Sequence, residues 1–218
     1  MAVIHHTTLK PTKLELLTAW LPSRPWYRGA AEPELAKAGG FRLDDPQGEV
    51  GIEFMVVTDA SGPQPAAYLV PLAYRGAPLE GAEHALVGTM EHGVLGRRWA
   101  YDGCHDPVVV AQLAALIDGR AQAQDQNVSD TPAQEVVVSR TGEGSLSTDC
   151  TVTDDREGTA LTTPQGTVLR LHRAPQPMAE GPAVLAQGAI AHVAGSWEAP
   201  DGTRAQGVFA VLHGGGRA

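Results

Sequence analysis

The chain has 218 residues, and its 16 lysines and arginines against 25 aspartates and glutamates give a formal net charge of −9. This balance argues against binding to nucleic acid or to anionic membranes, because both require clustered cations. No apolar run approaches the roughly 20 residues of a membrane span, and the first ten residues lack the features of a secretion signal. Two cysteines outside any CxxC spacing favour a reducing compartment. The sequence therefore predicts a cytoplasmic protein.

The first predicted element is a helix in PTKLELLTAWLP. Thr12 followed by Glu15 three residues later is a capping-box pattern, in which each side chain accepts a hydrogen bond from the other residue's backbone N–H. Leucines recur at helical spacing, and Pro22 ends the run. We expect a loop rich in proline, glycine and charge from there to about Gln47, with Trp26 folded back onto the core.

Two β-branched and aromatic runs follow, at 49–58 and 66–75, on either side of DASGPQP. Their pattern predicts an antiparallel hairpin with a long loop. The segment GVLGRRWAYDG is a further predicted strand, and we expect LEGAEHALVGTMEH to be the connection before it. These runs predict one hairpin and one further strand in the first half of the chain.

The stretch HDPVVVAQLAALIDG predicts the best-defined helix. Asp106 is expected as the N-cap and Pro107 as the first helical residue, because proline has no N–H to leave unsatisfied there. Gly119 is suited to a left-handed C-terminal cap. The dense motif YDGCHDP at 101–107 is therefore interpreted as the junction between a strand and a helix.

The rest of the chain is predicted to be rich in short strands. Residues 121–134 lose all periodicity and are typical of a linker. Short β runs follow, and the last two are joined across PDG, a strong hairpin signal. The predicted fold class is α+β, with two small antiparallel-sheet subdomains and flanking helices.

Several of these segments resemble the N-terminal cap domain of actinobacterial maltokinases. The motifs VPLAYRGAPL and ALVGTMEHGVLGRRWAYDGCHDP carry the resemblance over about residues 1–120. GTVLRLHR is similar to the strand that carries the phosphate-contacting lysine in those kinases, and HVAGSWEAPDGTRAQGVFAVLH to the strand pair before the hinge between their lobes. The resemblance implies a cap domain at 1–120, a linker at 121–134, a kinase N-lobe (intermediate subdomain)-like domain at 135–213 and a flexible tail at 214–218.

The resemblance also implies that this chain alone is not a kinase. In that family the base and the magnesium ligands come from a C-terminal lobe, and the sequence ends before such a segment. Arg170 stands where the phosphate-contacting lysine is expected, and Glu180 is the single candidate for its partner acid. Arginine keeps the charge but has a different shape. We therefore expect no catalytic residue and no cofactor.

Two candidate sites arise from the residue types alone. The set His84, Glu91, His92 and His105 could hold zinc, but its spacing fits no known zinc pattern, and surface or capping histidines are favoured. Cys104 beside His105 could form a thiolate–imidazole pair, although neighbours in sequence seldom face each other. We favour Cys104 as a small packing residue.

Two functions are compatible with the sequence. The first is a non-catalytic partner or regulatory module, with a possible link to maltose, trehalose or glycogen metabolism by resemblance only. It would bind a protein, or a second copy of itself, through the face left by the absent C-lobe. The alternative is a module that binds a malto-oligosaccharide or a nucleotide in the groove between the two subdomains. Its ligand residues would be Arg170, Trp26 and Trp197, since Trp20 and Trp99 are expected in the core.

Overall fold

The computed structural model describes residues 7–178 and 188–215. It contains two α-helices, α1 at Lys13–Trp20 and α2 at Pro107–Ile117, within these residues. The strands of the first half are β1 (Leu9–Lys10), β2 (Leu35–Leu43), β3 (Gly51–Asp59), β4 (Ala66–Arg75), β5 (Leu86–His92) and β6 (Gly96–Asp102). Those of the second half are β7 (Val137–Arg140), β8 (Thr151–Asp155), β9 (Gly158–Thr162), β10 (Val168–Leu171), β11 (Ala189–Glu198) and β12 (Arg204–His213).

The described strands form one antiparallel sheet that runs through both halves of the molecule. Its order is β1-β5-β6-β4-β3-β2-β11-β12-β10-β9-β8, and β7 pairs with β11 beside this path. We call residues 7–120 the cap half and residues 135–178 with 188–213 the β-rich half. The α+β class is confirmed, and the two predicted subdomains share a single sheet. The domain boundaries within it stay a prediction.

The capping box at the start of α1 is confirmed. The backbone N–H of Glu15 donates to Thr12 Oγ1 at 3.2 Å, and that of Thr12 donates to Glu15 Oε2 at 2.6 Å. A short 3₁₀ turn at Leu21–Ser23 contains Pro22 and ends the helical run. Trp26 then turns back and is fully buried, as expected.

The predicted loop up to Gln47 is wrong, because β2 occupies its second half. The sequence LAKAGGFRL has little β propensity. Its two glycines add no side chain to the core, but they allow neighbouring backbone to come close. Gly40 has a positive φ of 127°, and a Cβ placed there would lie 2.1 Å from the carbonyl oxygen of Phe54. The strand therefore depends on close backbone approach that only glycine allows.

Gly39 makes the junction between the two halves of the sheet. It is paired with Trp197 of β11, and this is the single register pair between β2 and β11 in the described part of the chain. A Cβ on Gly39 would come within 3.3 Å of the backbone at Ser196 and Trp197. The lack of a side chain thus lets β11 continue the cap sheet.

The segment before the third predicted strand is also a strand and not a connection. Residues Leu86–His92 form β5, which pairs with β6 along its length and carries the two-residue β1 on its outer edge. Met90 is its one buried residue, so the run lacks a continuous apolar signal. The predicted hairpin of β3 and β4 and the PDG hairpin of β11 and β12 are both confirmed.

The predicted start and stop of α2 are confirmed. Asp106 accepts a hydrogen bond from the backbone N–H of Val108 at 2.9 Å, Pro107 is the first helical residue, and Gly119 adopts a φ of 72°. The helix packs on one face of the cap sheet, in a core that continues into the β-rich half. Trp20, Trp26 and α1 cover part of the opposite face.

Residues 121–134, predicted as a linker, are attached to the cap half. Gln124 exchanges two backbone hydrogen bonds with Arg42 of β2, each 2.9 Å long. The tail residues 216–218 and Glu180 lie outside the described residues. Neither helix in the part of the chain that the structure describes is long and apolar enough to cross a membrane.

Candidate functional site

The motif YDGCHDP supplies the cap side of a buried polar cluster between the two halves. Asp102 ends β6, and its carboxylate accepts hydrogen bonds from Arg173 Nη2 at 2.7 and 2.6 Å. Arg173 follows β10, belongs to the β-rich half and is completely buried, while Asp102 is 2 % exposed. The same guanidinium donates from Nε to Thr159 Oγ1 at 2.7 Å and contacts Cys104 Sγ at 3.2 Å. We call these four residues the seam cluster.

The cap half makes two further contacts with Arg173. Its guanidinium lies over the Trp26 ring, with 5.0 Å between the guanidinium carbon and the ring centroid. Its backbone carbonyl accepts a hydrogen bond from the N–H of Leu69 in β4 at 2.9 Å. Burial alone lowers the pKa of Arg173, but attraction to Asp102 outweighs it, so the pKa is raised and the side chain stays charged.

Asp106, four residues after Asp102, forms a second ion pair that stays within the cap half. Arg75 at the end of β4 donates from Nε and Nη2 to its two carboxylate oxygens, at 2.6 and 2.9 Å. Asp106 is completely buried and also caps α2. One short motif therefore holds the two halves together through Asp102 and fixes a helix start through Asp106.

The thiolate–imidazole pair considered for Cys104 and His105 does not form. Cys104 contacts Arg173, whereas a ring nitrogen of His105 lies 3.1 Å from one of His84. Burial raises the pKa of the Cys104 thiol well above its ordinary value, so the protonated thiol predominates at neutral pH. Cys104 thus fills space and accepts a weak hydrogen bond.

Of the four weak metal candidates, the structure brings together two, His84 and His105. Glu91 instead pairs with Arg97 at 3.2 Å, and His92 accepts backbone hydrogen bonds in the β5–β6 turn. Among residues 7–178 and 188–215 no three side chains of metal-binding type are grouped closely enough to hold an ion.

The predicted ligand residues are all engaged inside the protein. Trp26 is fully buried and Trp197 is 2 % exposed, so the expectation that these are the freer tryptophans is wrong. Both pack against aromatic neighbours of the core. Arg170 donates from Nη1 to Asp155 at 2.7 Å across β9. A ligand role for these three residues stays a prediction, and the two indoles have no exposed face to offer.

A small cavity does lie between the two halves, near the seam cluster. It has a volume of about 290 Å³ and is lined by His84, His105 and Cys104 from the cap half and by Thr148, Cys150 and Val152 from the other half. Arg170, Trp26 and Trp197 are not among its lining residues. The cavity between the halves is therefore lined by other residues than the three that the sequence predicted.

A larger groove, of about 430 Å³, lies at the first turn of α1 and is lined by the cap half and by Gln126. Its central polar residue is Glu53 of β3, which is 3 % exposed. Lys13 donates to Glu53 Oε2 at 2.5 Å, and the Tyr74 hydroxyl donates to the same oxygen at 2.8 Å. We call this the cap groove. Sequence reasoning missed it, although an acid inside the apolar run GIEFMVV was the available signal.

A family model described as the maltokinase N-terminal cap domain matches residues 20–106. No curated protein matches the chain. The matched segment begins with the last residue of α1 and ends with the N-cap of α2, so it contains Asp102 and Asp106 but not Arg173. The predicted resemblance is confirmed over this segment, because residues 20–106 are similar to the maltokinase N-terminal cap domain.

Proposed function

We propose that this protein is a maltokinase-related module that holds a partner in a fixed orientation and does no chemistry itself. The observation that carries the proposal is the seam cluster, in which a buried Arg173 of one half is paired with Asp102 of the other. A positioning module must transmit orientation from one end to the other. A shared sheet, with a buried ion pair as a second contact between the halves, supports that role.

The use of the chemically capable side chains also supports a non-catalytic role. Cys104 is buried as a thiol, Arg170 is bound to Asp155, and His105 lies against His84. Each of these groups is occupied by a contact inside the protein. The presence of only two cysteines, outside any CxxC spacing, supports our proposal of a reducing, cytoplasmic location.

The partner that we propose is a kinase catalytic lobe. In the resemblance, the strand pair equivalent to β11 and β12 leads to the hinge between lobes. His213 at the end of β12 pairs with Val168 of β10, and the exposed turn at Gln165 lies beside them. We therefore infer that the partner contacts this end of the β-rich half.

The test is sedimentation velocity of the full chain mixed with a separately produced maltokinase catalytic lobe. We expect a one-to-one complex, which Gln165→Arg weakens at least tenfold because it places a charge in the contact. Gln47→Arg, in an exposed turn of the cap half, is the matched control and leaves the complex unchanged. A chain that stays monomeric and forms no complex with the lobe contradicts the proposal.

A further inference from the structure

The cap groove lies on the part of a sheet face that α1 does not cover. Met55 and Val57 of β3 face α1 and Trp26, together with the β4 residues paired to them. Glu53 and Gly51 continue the same face of β3 by strand alternation, and Tyr74 is the partner of Gly51. These three residues lie beyond the first turn of the helix, where Lys13 begins it.

Gly51 keeps this end of the face open. Its backbone is in the ordinary strand region, and a Cβ placed there would meet Tyr74 at 3.4 Å, which is normal contact distance. A side chain at position 51 is therefore sterically allowed by the strand, and atoms beyond Cβ would extend into the groove. The open space thus comes from the missing side chain, since neither turn geometry nor close packing requires glycine here.

The buried carboxylate of Glu53 lies at the centre of the groove. Glu53 is held by Lys13 and by Tyr74, and burial followed by the charge of Glu53 raises the pKa of the Tyr74 hydroxyl well above its usual value. Removing a charged group from water costs several kcal/mol unless it is paired. Such a preorganised set of an acceptor, a hydroxyl and an ammonium is suited to directional hydrogen bonds with a ligand.

The charges around the groove select the type of ligand. Three cationic side chains (Lys13, Arg42 and Arg98) are balanced by three anionic ones (Asp45, Glu49 and Glu53). The Asp45 carboxylate is already bound by backbone N–H groups, and Arg42 Nε donates to the carbonyl of Asp125. A phosphate or nucleotide site needs a surplus of positive charge, which this groove lacks.

Part of the remaining lining is apolar. Leu9, Met90 and Leu95 lie beside the polar centre, whereas the side chains of Val50 and Ile52 belong to the core on the opposite face of β3. We propose that the cap groove binds a small neutral molecule rich in hydroxyl groups, such as a saccharide, with its hydroxyls on Glu53, Tyr74 and Lys13 and its C–H surface on the apolar wall. This site belongs to the cap half and is independent of the partner contact proposed at the β-rich end.

The test is a titration of the ¹⁵N-labelled full chain, followed by NMR, with glucose, maltose, sucrose, inorganic phosphate and ATP as separate probes. We expect saturable shifts from at least one neutral saccharide at the backbone amides of β3, β4 and the start of α1. Phosphate and ATP are expected to leave these amides unchanged. Saccharide binding that moves amides elsewhere, binding of the anions at this groove, or no binding by any probe would overturn the proposal.

Two variants separate a binding role of the groove from a role in folding. Glu53→Gln removes the charge that orients Tyr74 and Lys13, and Gly51→Val fills the space without touching the ion pair, so each should weaken binding at least tenfold. Glu157→Gln, on an exposed turn of the β-rich half, is the matched control and should bind like the wild type. The spectra report whether each variant is folded. Binding that survives Gly51→Val in a folded protein would exclude the groove.

Discussion

The seam cluster and the cap groove use the same chemistry for opposite purposes. Both contain a buried carboxylate paired with a cation, yet Arg173 and Asp102 are closed off from solvent, whereas Lys13 beside Glu53 is 30 % exposed. In the seam every direction is filled by protein, so the pair can only hold the two halves together. In the groove one direction stays open, so the pair can also meet a ligand. Enclosure therefore distinguishes the structural site from the binding site.

The largest effect should come from breaking the seam with Asp102→Asn. This change leaves the Arg173 charge buried without its counter-ion, and loss of one partner of such a pair costs about 3–5 kcal/mol. We expect the free energy of unfolding, measured by urea denaturation, to fall by that amount.

The matched variant for the seam is Asp102→Asn combined with Arg173→Met. In the double variant no buried charge is left without a counter-ion, so it should be more stable than Asp102→Asn alone. If the two residues are not coupled, Arg173→Met should lower the free energy of unfolding by the same amount in the Asp102→Asn background as in the wild type. That result would contradict the account.

The next effect concerns Asp106, whose contacts remain inside the cap half. Asp106→Ala removes both the cap of α2 and the two hydrogen bonds to Arg75, and should lower the free energy of unfolding by about 2–4 kcal/mol. Asp106→Asn keeps a capping side chain and should lose less. Equal losses in the two variants would assign the whole effect to the ion pair.

These two aspartates show how far the sequence could be interpreted. The cap role of Asp106 depends on its immediate neighbours, Pro107 and the apolar run after it, so it was predictable. The partner of Asp102 lies 71 residues away in the chain, and neither composition nor spacing relates the two. Local chemistry identifies helix ends and hairpins, whereas contacts between the halves require the tertiary structure.

The failure to predict β2 has a related cause. β2 is held by pairing and by the close approach that Gly39 and Gly40 permit, and its own side chains carry no strand pattern. Trp26 and Trp197 are the tryptophans expected to be freer, because Trp20 lies on a predicted helix and Trp99 in a predicted strand. Both are buried, Trp26 after the chain turns back beyond α1 and Trp197 within β11, where it packs against Phe209.

A smaller effect should appear as a dependence of stability on pH near the seam. Burial lowers the pKa of His105 below its usual 6.5, with His84 adding to the shift. A group whose folded-state pKa is depressed stabilises the protein above its unfolded-state pKa and loses that contribution as the pH falls. We expect the free energy of unfolding to decrease below about pH 6.5, with a shallower slope for His105→Gln. An identical slope in this variant would exclude His105 as a contributor.

The smallest effect is expected on the exposed side of the cap half. Glu91 and Arg97 form an ion pair in which both side chains are 62 % exposed. Glu91→Gln should change the free energy of unfolding by less than about 0.5 kcal/mol, because solvent screens such pairs. A loss close to that of Asp102→Asn would mean that burial does not distinguish the seam from the surface.

The most direct test of the account is hydrogen exchange of the full chain at increasing urea concentration. If the seam cluster makes the two halves one cooperative unit, the slowest amides of β3 and β4 and those of β11 and β12 share one opening free energy. In Asp102→Asn the β11 and β12 amides should open at lower free energy than those of the cap half. Separate opening of the two halves already in the wild type would contradict the account.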